Sequence, residues 1–88
     1  MDFDFIEWDE EDDPRGNTWH IADNGLSIDE VEEVMLDPGS LHSRSRSSRR
    51  PGVIGRTSLG KEIMVIHESS KDAGINVVRP VTAYEIKD

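Results

Sequence analysis

The sequence predicts an α+β domain: an N-terminal strand and two short helices packed on one face of a small antiparallel β-sheet. Two patterns carry this. Ser27-Ile-Asp-Glu30 is a capping box that opens a run of apolar residues at helical spacing. From Val53 onward, apolar β-type runs alternate with glycine-bearing turns. Length adds the third constraint. A chain of 88 residues buries only a little over roughly 60% of its unfolded surface, so helices and sheet must share one modest core. Stacking the helices on one sheet face buries both apolar sets. Residues 1–88 are read as this single domain, with a flexible Arg/Ser-rich loop at about 39–52.

The elements follow in order. Phe3, Phe5 and Trp8 alternate with acids before Asp9-Glu10-Glu11-Asp12-Asp13-Pro14, a short strand running into a solvated loop. Asn17 is placed to cap a helix through about Asn24, with Trp19, Ala22 and Leu26 as its apolar line and Gly25 as its stop. The capping box, with Leu26 and Val31 as a hydrophobic staple, then starts a helix over 28–36. Ile28, Val31, Val34 and Met35 form its buried face, and Asp37-Pro38-Gly39 ends it.

Gly39 to Gly52, with Ser43-Arg44-Ser45-Arg46-Ser47-Ser48-Arg49-Arg50 inside it, is too polar to bury much and reads as a mobile loop or a weak edge strand. Val53–Thr57 and Glu62–His67 flank Ser58-Leu59-Gly60 as a hairpin, the run at 63–66 being the central strand. Ser69–Gly74 reads as a loop and Ile75–Val81 as the last strand, with Pro80 unable to donate to a ladder. Thr82–Ile86 reads as a closing turn.

Charge divides the chain. Residues 1–37 hold fourteen acids and one base, Arg15, whereas residues 38–61 hold six bases and no acid. The net charge of −9 argues against a generally basic nucleic-acid binder and against attraction to anionic membrane. Screening over roughly 8 Å still lets a compact arginine cluster present a local positive surface. The alternative is pairing of the two segments with each other.

With no Cys, disulfides, thiolate zinc sites and cysteine nucleophiles are excluded. No secretory pattern or apolar run long enough to span a membrane is present, so the expected setting is cytoplasmic. The acidic run lacks the glycine and distal glutamate of a calcium loop. Phosphate-loop, Ser-His-Asp and His-Glu-x-x-His patterns are absent as well. No cofactor or metal is expected.

Trp8-Asp9 together with the stretch from Asn17-Thr-Trp-His20 through Gly25 to Val34 resembles the N-terminal signature of BrnT-like toxins. Arg56-Thr-Ser-Leu-Gly60-Lys, the apolar strand after it and Val78-Arg79-Pro-Val-Thr82-Ala-Tyr84-Glu85 are similar to that family's glycine hairpin and closing strand. The resemblance spans nearly the whole chain. It implies a RelE-like fold and the toxin of a type II toxin–antitoxin pair, a metal-independent ribonuclease with RNA and a cognate antitoxin protein as partners. Where the family carries Lys-His-Gly at the end of the first helix, this chain reads Asp23-Asn24-Gly25, with His20 earlier. Weakened or lost activity is therefore expected.

Such cleavage needs a base for the 2′-hydroxyl, cationic donors for phosphate and an acid for the leaving oxygen. His20 and His67 have side chains suited to proton exchange, Tyr84 to proton donation or phosphate binding, and Arg56 and Arg79 to clamping phosphate. The catalytic candidates are His20, Arg56, Arg79 and Tyr84, and the RNA-binding candidates are Arg44, Arg46, Arg49, Arg50 and Lys61.

Each has a structural alternative. His20 suits a helix surface and Arg56 an exposed turn, the arginine cluster suits a solvated loop, and Arg79 either bonds an acid or projects toward a ligand. Trp8 and Trp19 are both expected in the core. The competing function is a non-catalytic interaction module that binds a basic protein through its acidic N-terminal face.

Overall fold

A computed structural model describes residues 3–45 and 48–87. The elements are β1 (Phe5–Ile6), α1 (Asn17–Asp23), α2 (Ile28–Leu36), β2 (Leu41–Arg44), β3 (Pro51–Arg56), β4 (Glu62–Asp72) and β5 (Ile75–Glu85). They form an α+β fold with a five-stranded mixed sheet in the order β1-β5-β4-β3-β2. β2 through β5 make an antiparallel meander. β1 joins β5 in parallel, Phe5 opposite Val77 and Ile6 opposite Val78. No helix among the described residues is long and apolar enough to cross a membrane.

α2 has the predicted bounds and the predicted cap: Ser27 accepts from the Glu30 backbone N–H, and Glu30 accepts from that of Ser27. Across the sheet, Val53, Val65 and Ala83 share one row and Gly55, Ile63 and Glu85 the next. The apolar members of this face pack with Ile21, Leu26, Val31, Val34 and Met35 as the core. α2 lies close on β3 at Gly55, where a Cβ would stand 2.8 Å from Val34 Cγ1 and would also collide with Ser40.

α1 departs from the expected reading. Its N-cap is Gly16, and Asn17 is turned inward and buried. The reason is the outer edge of β5, which β1 covers for only two residues. Upstream, the Asn76 and Val78 carbonyls accept from the Asp4 and Glu7 N–H groups. Downstream, the Asn17 side-chain amide donates to Pro80 O at 2.8 Å, and that of Asn24 donates to Ala83 O at 2.8 Å.

Asn17 and Asn24 stand two helical turns apart, about 10.5 Å, which matches about three residues of strand. The inward line of α1 is thus Asn17, Ile21 and Asn24. Trp19 sits about 160° around the helix from Ile21 and is 44% exposed, against the expectation that it enters the core. Trp8 does pack on the core, its indole N–H donating to Glu32 at 3.0 Å.

Pairing overrides local signals at the C-terminal hairpin. Ser69–Asp72, read as loop, and Thr82–Glu85, read as a turn, are both strand. The connection is the two-residue turn Ala73-Gly74, with φ of 49° and 82°, the positive values a tight hairpin requires. Pro80 is tolerated because its carbonyl points to α1, so its missing donor also faces away from β4. A register shift at Ile66/His67, where Thr82 and Pro80 are the successive partners, leaves Val81 as the extra residue. In the polar stretch 39–52, Leu41–Arg44 forms the edge-strand alternative.

Candidate functional site

The sheet face away from the helices carries the row Leu41, Ile54, Met64 and Tyr84. A groove of about 340 Å³ runs here, lined by Ser43, Arg44, Ser45, Ile54, Met64, Tyr84 and Ile86. Met64 is buried at its floor and Tyr84 is 45% exposed at its rim. Gly52 allows Met64 to lie flat, since a Cβ there would collide with the Met64 methyl.

Beside this groove the β2–β3 hairpin closes through Ser45 N–H to Arg50 O and Arg49 N–H to Ser45 O, both 2.9 Å. Arg44 Nη1 donates to Arg49 O at 2.7 Å, tying the tip together. Arg49 takes φ 60° to close it. Arg44, Arg49 and Arg50 are exposed and have no carboxylate partner among the described residues. Arg46 lies outside the described residues.

One ion pair among the described residues joins the acidic front to the basic middle: Lys61 Nζ to Glu30 Oε2 at 2.9 Å. The bond to Glu30 holds Lys61 above the usual lysine range and Glu30 below the usual carboxylate range. Lys61 is thereby committed at the N-terminal end of α2, among Ser27, Asp29, Glu30 and Glu33. It is separate from the arginine hairpin.

Arg56 shares the groove face through its pairing with Glu62, to which its guanidinium is bonded at 3.4 Å. Tyr84 and Arg56 are two strands and two residues apart, a backbone separation of about 12 Å that their long side chains can bridge. Arg79 is different. It stands opposite Glu68 on the same face, six residues along β4 from Glu62, so about 20 Å separates the two arginine positions along the strand. They do not form one clamp.

Arg79 is moreover ringed by carboxylates. Its guanidinium forks onto Asp9, with Nη1 to Oδ1 at 2.9 Å, and reaches Glu7 at 3.5 Å and Glu68 at 4.0 Å. Asp9 in turn accepts from the Asn17 backbone N–H at 2.9 Å. The Arg79 bond first and the Asn17 bond second bring the Asp9 carboxyl down to about 2. Three carboxylates within 4.0 Å repel a phosphate, so Arg79 follows the acid-bonding alternative.

His20 and His67 are elsewhere. His20 is exposed on α1, in the helix layer, away from the groove face. His67 is 3% exposed, and both ring nitrogens are buried without a hydrogen-bond partner. Burial first, and the neighbouring His42 second, push it below the usual histidine range. No hydrogen bond or ion pair among the described residues joins any two of His20, Arg56, Arg79 and Tyr84.

The structure thus brings Arg44 and Tyr84 to one groove, with Arg49 and Arg50 at the hairpin tip beside it, while Arg56 stands at the far end of β3. Sequence reasoning did not single out Ser43, Ile54, Met64 and Ile86, which shape the groove. The alternation of Met64 and Ile66 with Tyr84 and Ile86 was the available signal, masked by the unbroken apolar run at 63–66. Compared with models of known protein families and with curated proteins, the chain matches none.

Proposed function

We propose that the chain is an RNA-directed protein of the BrnT-like toxin type, acting in the cytoplasm. It holds single-stranded RNA along the uncovered sheet face, beside the arginine hairpin. The observation that carries this reading is the set of three exposed arginines, Arg44, Arg49 and Arg50, without acid partners among the described residues in a chain of net charge −9. They adjoin a groove with an exposed phenol at its rim. Backbone phosphates pair with the guanidinium forks, and a base stacks on Tyr84.

Any cleavage in this arrangement rests on Tyr84 and Arg56. With His20 and His67 outside the groove, the reading is of a weak ribonuclease for which binding is the dominant effect. A cognate antitoxin protein would silence it by covering the same face.

The test is the salt dependence of binding to a single-stranded RNA, with cleavage followed in EDTA. Replacing the three arginines by Ala should lower the slope of log affinity against log salt by about 2, from roughly 0.7 per phosphate contact. Tyr84→Phe and Arg56→Ala should slow cleavage without unfolding the protein. RNA affinity untouched by the triple replacement would overturn the proposal.

A further inference from the structure

A second surface lies in the helix layer and is independent of the RNA reading. Trp19 on α1, Ala22, Leu26 and Ile28 line a groove of about 560 Å³ whose polar wall includes Glu11 and Asp29. The volume is within the roughly 300–1,000 Å³ of ligand pockets.

Trp19 is a large aromatic left 44% exposed although the core has few aromatics to draw on. The geometry of α1 explains why it points outward, and no hydrogen bond among the described residues engages its indole N–H. Glu11 and Asp29 have no ion-pair partner among the described residues. The exposed acids Glu10, Asp12, Asp13 and Asp23 add to the negative field, and Arg15 is the one base of residues 1–37.

We infer that this groove is the docking site for a basic segment of a partner protein, in which an arginine stacks on Trp19 between Glu11 and Asp29 while an adjacent aliphatic side chain fills the pocket over Leu26. Charge complementarity selects the occupant. Nucleic acid is repelled by the carboxylates, and a free metal ion would leave the apolar wall unused. A second copy of this chain offers its Arg44–Arg50 segment as the cationic element, but that stretch is arginine and serine only and carries no aliphatic anchor. A guanidinium over an indole and flanked by carboxylates combines a cation–π contact with charge-assisted hydrogen bonds.

The probe is a short labelled peptide of alternating arginine and leucine, with a glutamate-for-arginine counterpart as control, followed by fluorescence anisotropy. Binding of the arginine peptide should weaken about fivefold or more in Trp19→Ala. It should also weaken in the double variant Glu11→Gln, Asp29→Asn, with each variant's denaturation midpoint unchanged because these side chains lie outside the core. The Arg44, Arg49, Arg50 triple Ala variant should bind the peptide as the wild type does.

Equal binding by Trp19→Ala, or equal binding of the glutamate peptide, would overturn the inference. So would salt-sensitive self-association abolished by both Trp19→Ala and the arginine-hairpin replacement, which would make a second copy the occupant.

Discussion

Replacing Asp9 by Asn tests whether Arg79 belongs to the scaffold or to a ligand site. The Asp9 carboxylate holds the Arg79 fork on one side and the Asn17 N–H on the other. These bonds bring its pKa from 3.8 to about 2. At 1.36 kcal/mol per unit the shift corresponds to about 2 kcal/mol of native stability at neutral pH. The side chains are 25% and 31% exposed, so solvent screening makes this an upper value.

The carboxyl titrates lower in the folded chain than in the unfolded one, so its contribution is complete above pH 3.8 and is lost as pH falls toward 2. Asp9→Asn should therefore lower stability at pH 7 by up to about 2 kcal/mol, about 10 °C in a domain of this size, and should lack that part of the acid-induced loss. Urea denaturation at a series of pH values measures both. An unfolding free energy at pH 7 within about 0.5 kcal/mol of the wild type, or an unchanged acid limb, would refute the reasoning. The outcome bears on function directly. If Arg79 supports the fold, loss of RNA cleavage in Arg79→Ala reports unfolding, and Tyr84 and Arg56 become the informative positions.

Three further outcomes follow from the packing. His67 is buried and held below its usual pKa, so the unfolded chain binds more protons and stability should fall as pH drops below about 6.5. His67→Leu should flatten this limb in thermal melts, and an unaltered limb would place the titration elsewhere. Ala73 sits at φ 49°, so Ala73→Gly should relieve left-handed strain and raise the unfolding free energy measured in urea by about 1 kcal/mol; a lowered value would count against the turn geometry. Gly55→Val would press on Val34 and Ser40 and should cost about 1–3 kcal/mol, whereas a neutral result would mean that α2 does not lie close on β3.

Much of the fold is legible in local patterns. The capping box and staple give α2 its bounds, and the glycine turn gives the β3–β4 hairpin, because these signals act within a few residues. The site is legible as an inventory. Arg44, Arg49, Arg50, Arg56 and Tyr84 are visible residue by residue, but the meeting of Arg44 with Tyr84 at one groove, and the placing of Arg56 at the other end of β3, depend on a register that only strand pairing supplies.

α1 was misread for an instructive reason. Trp19, Ala22 and Leu26 looked like the buried line, while the true inward line, Asn17, Ile21 and Asn24, is two-thirds polar. It exists to satisfy carbonyls on β5, some sixty residues away in sequence.

The sequence by itself determined the α+β class, the helix from 28 to 36 and the separation of acidic and basic segments, since propensity, capping and charge are properties of neighbouring residues. Only the tertiary structure decided which charges neutralise each other. Arg79 and Lys61 are held by carboxylates from Asp9 and Glu30, brought to them by the packing of the N-terminal segment and α2 on the sheet, while the arginine hairpin projects from the far edge beyond reach of any described acid. Ion pairing acts over a few ångströms in space, and distance along the chain carries no record of it.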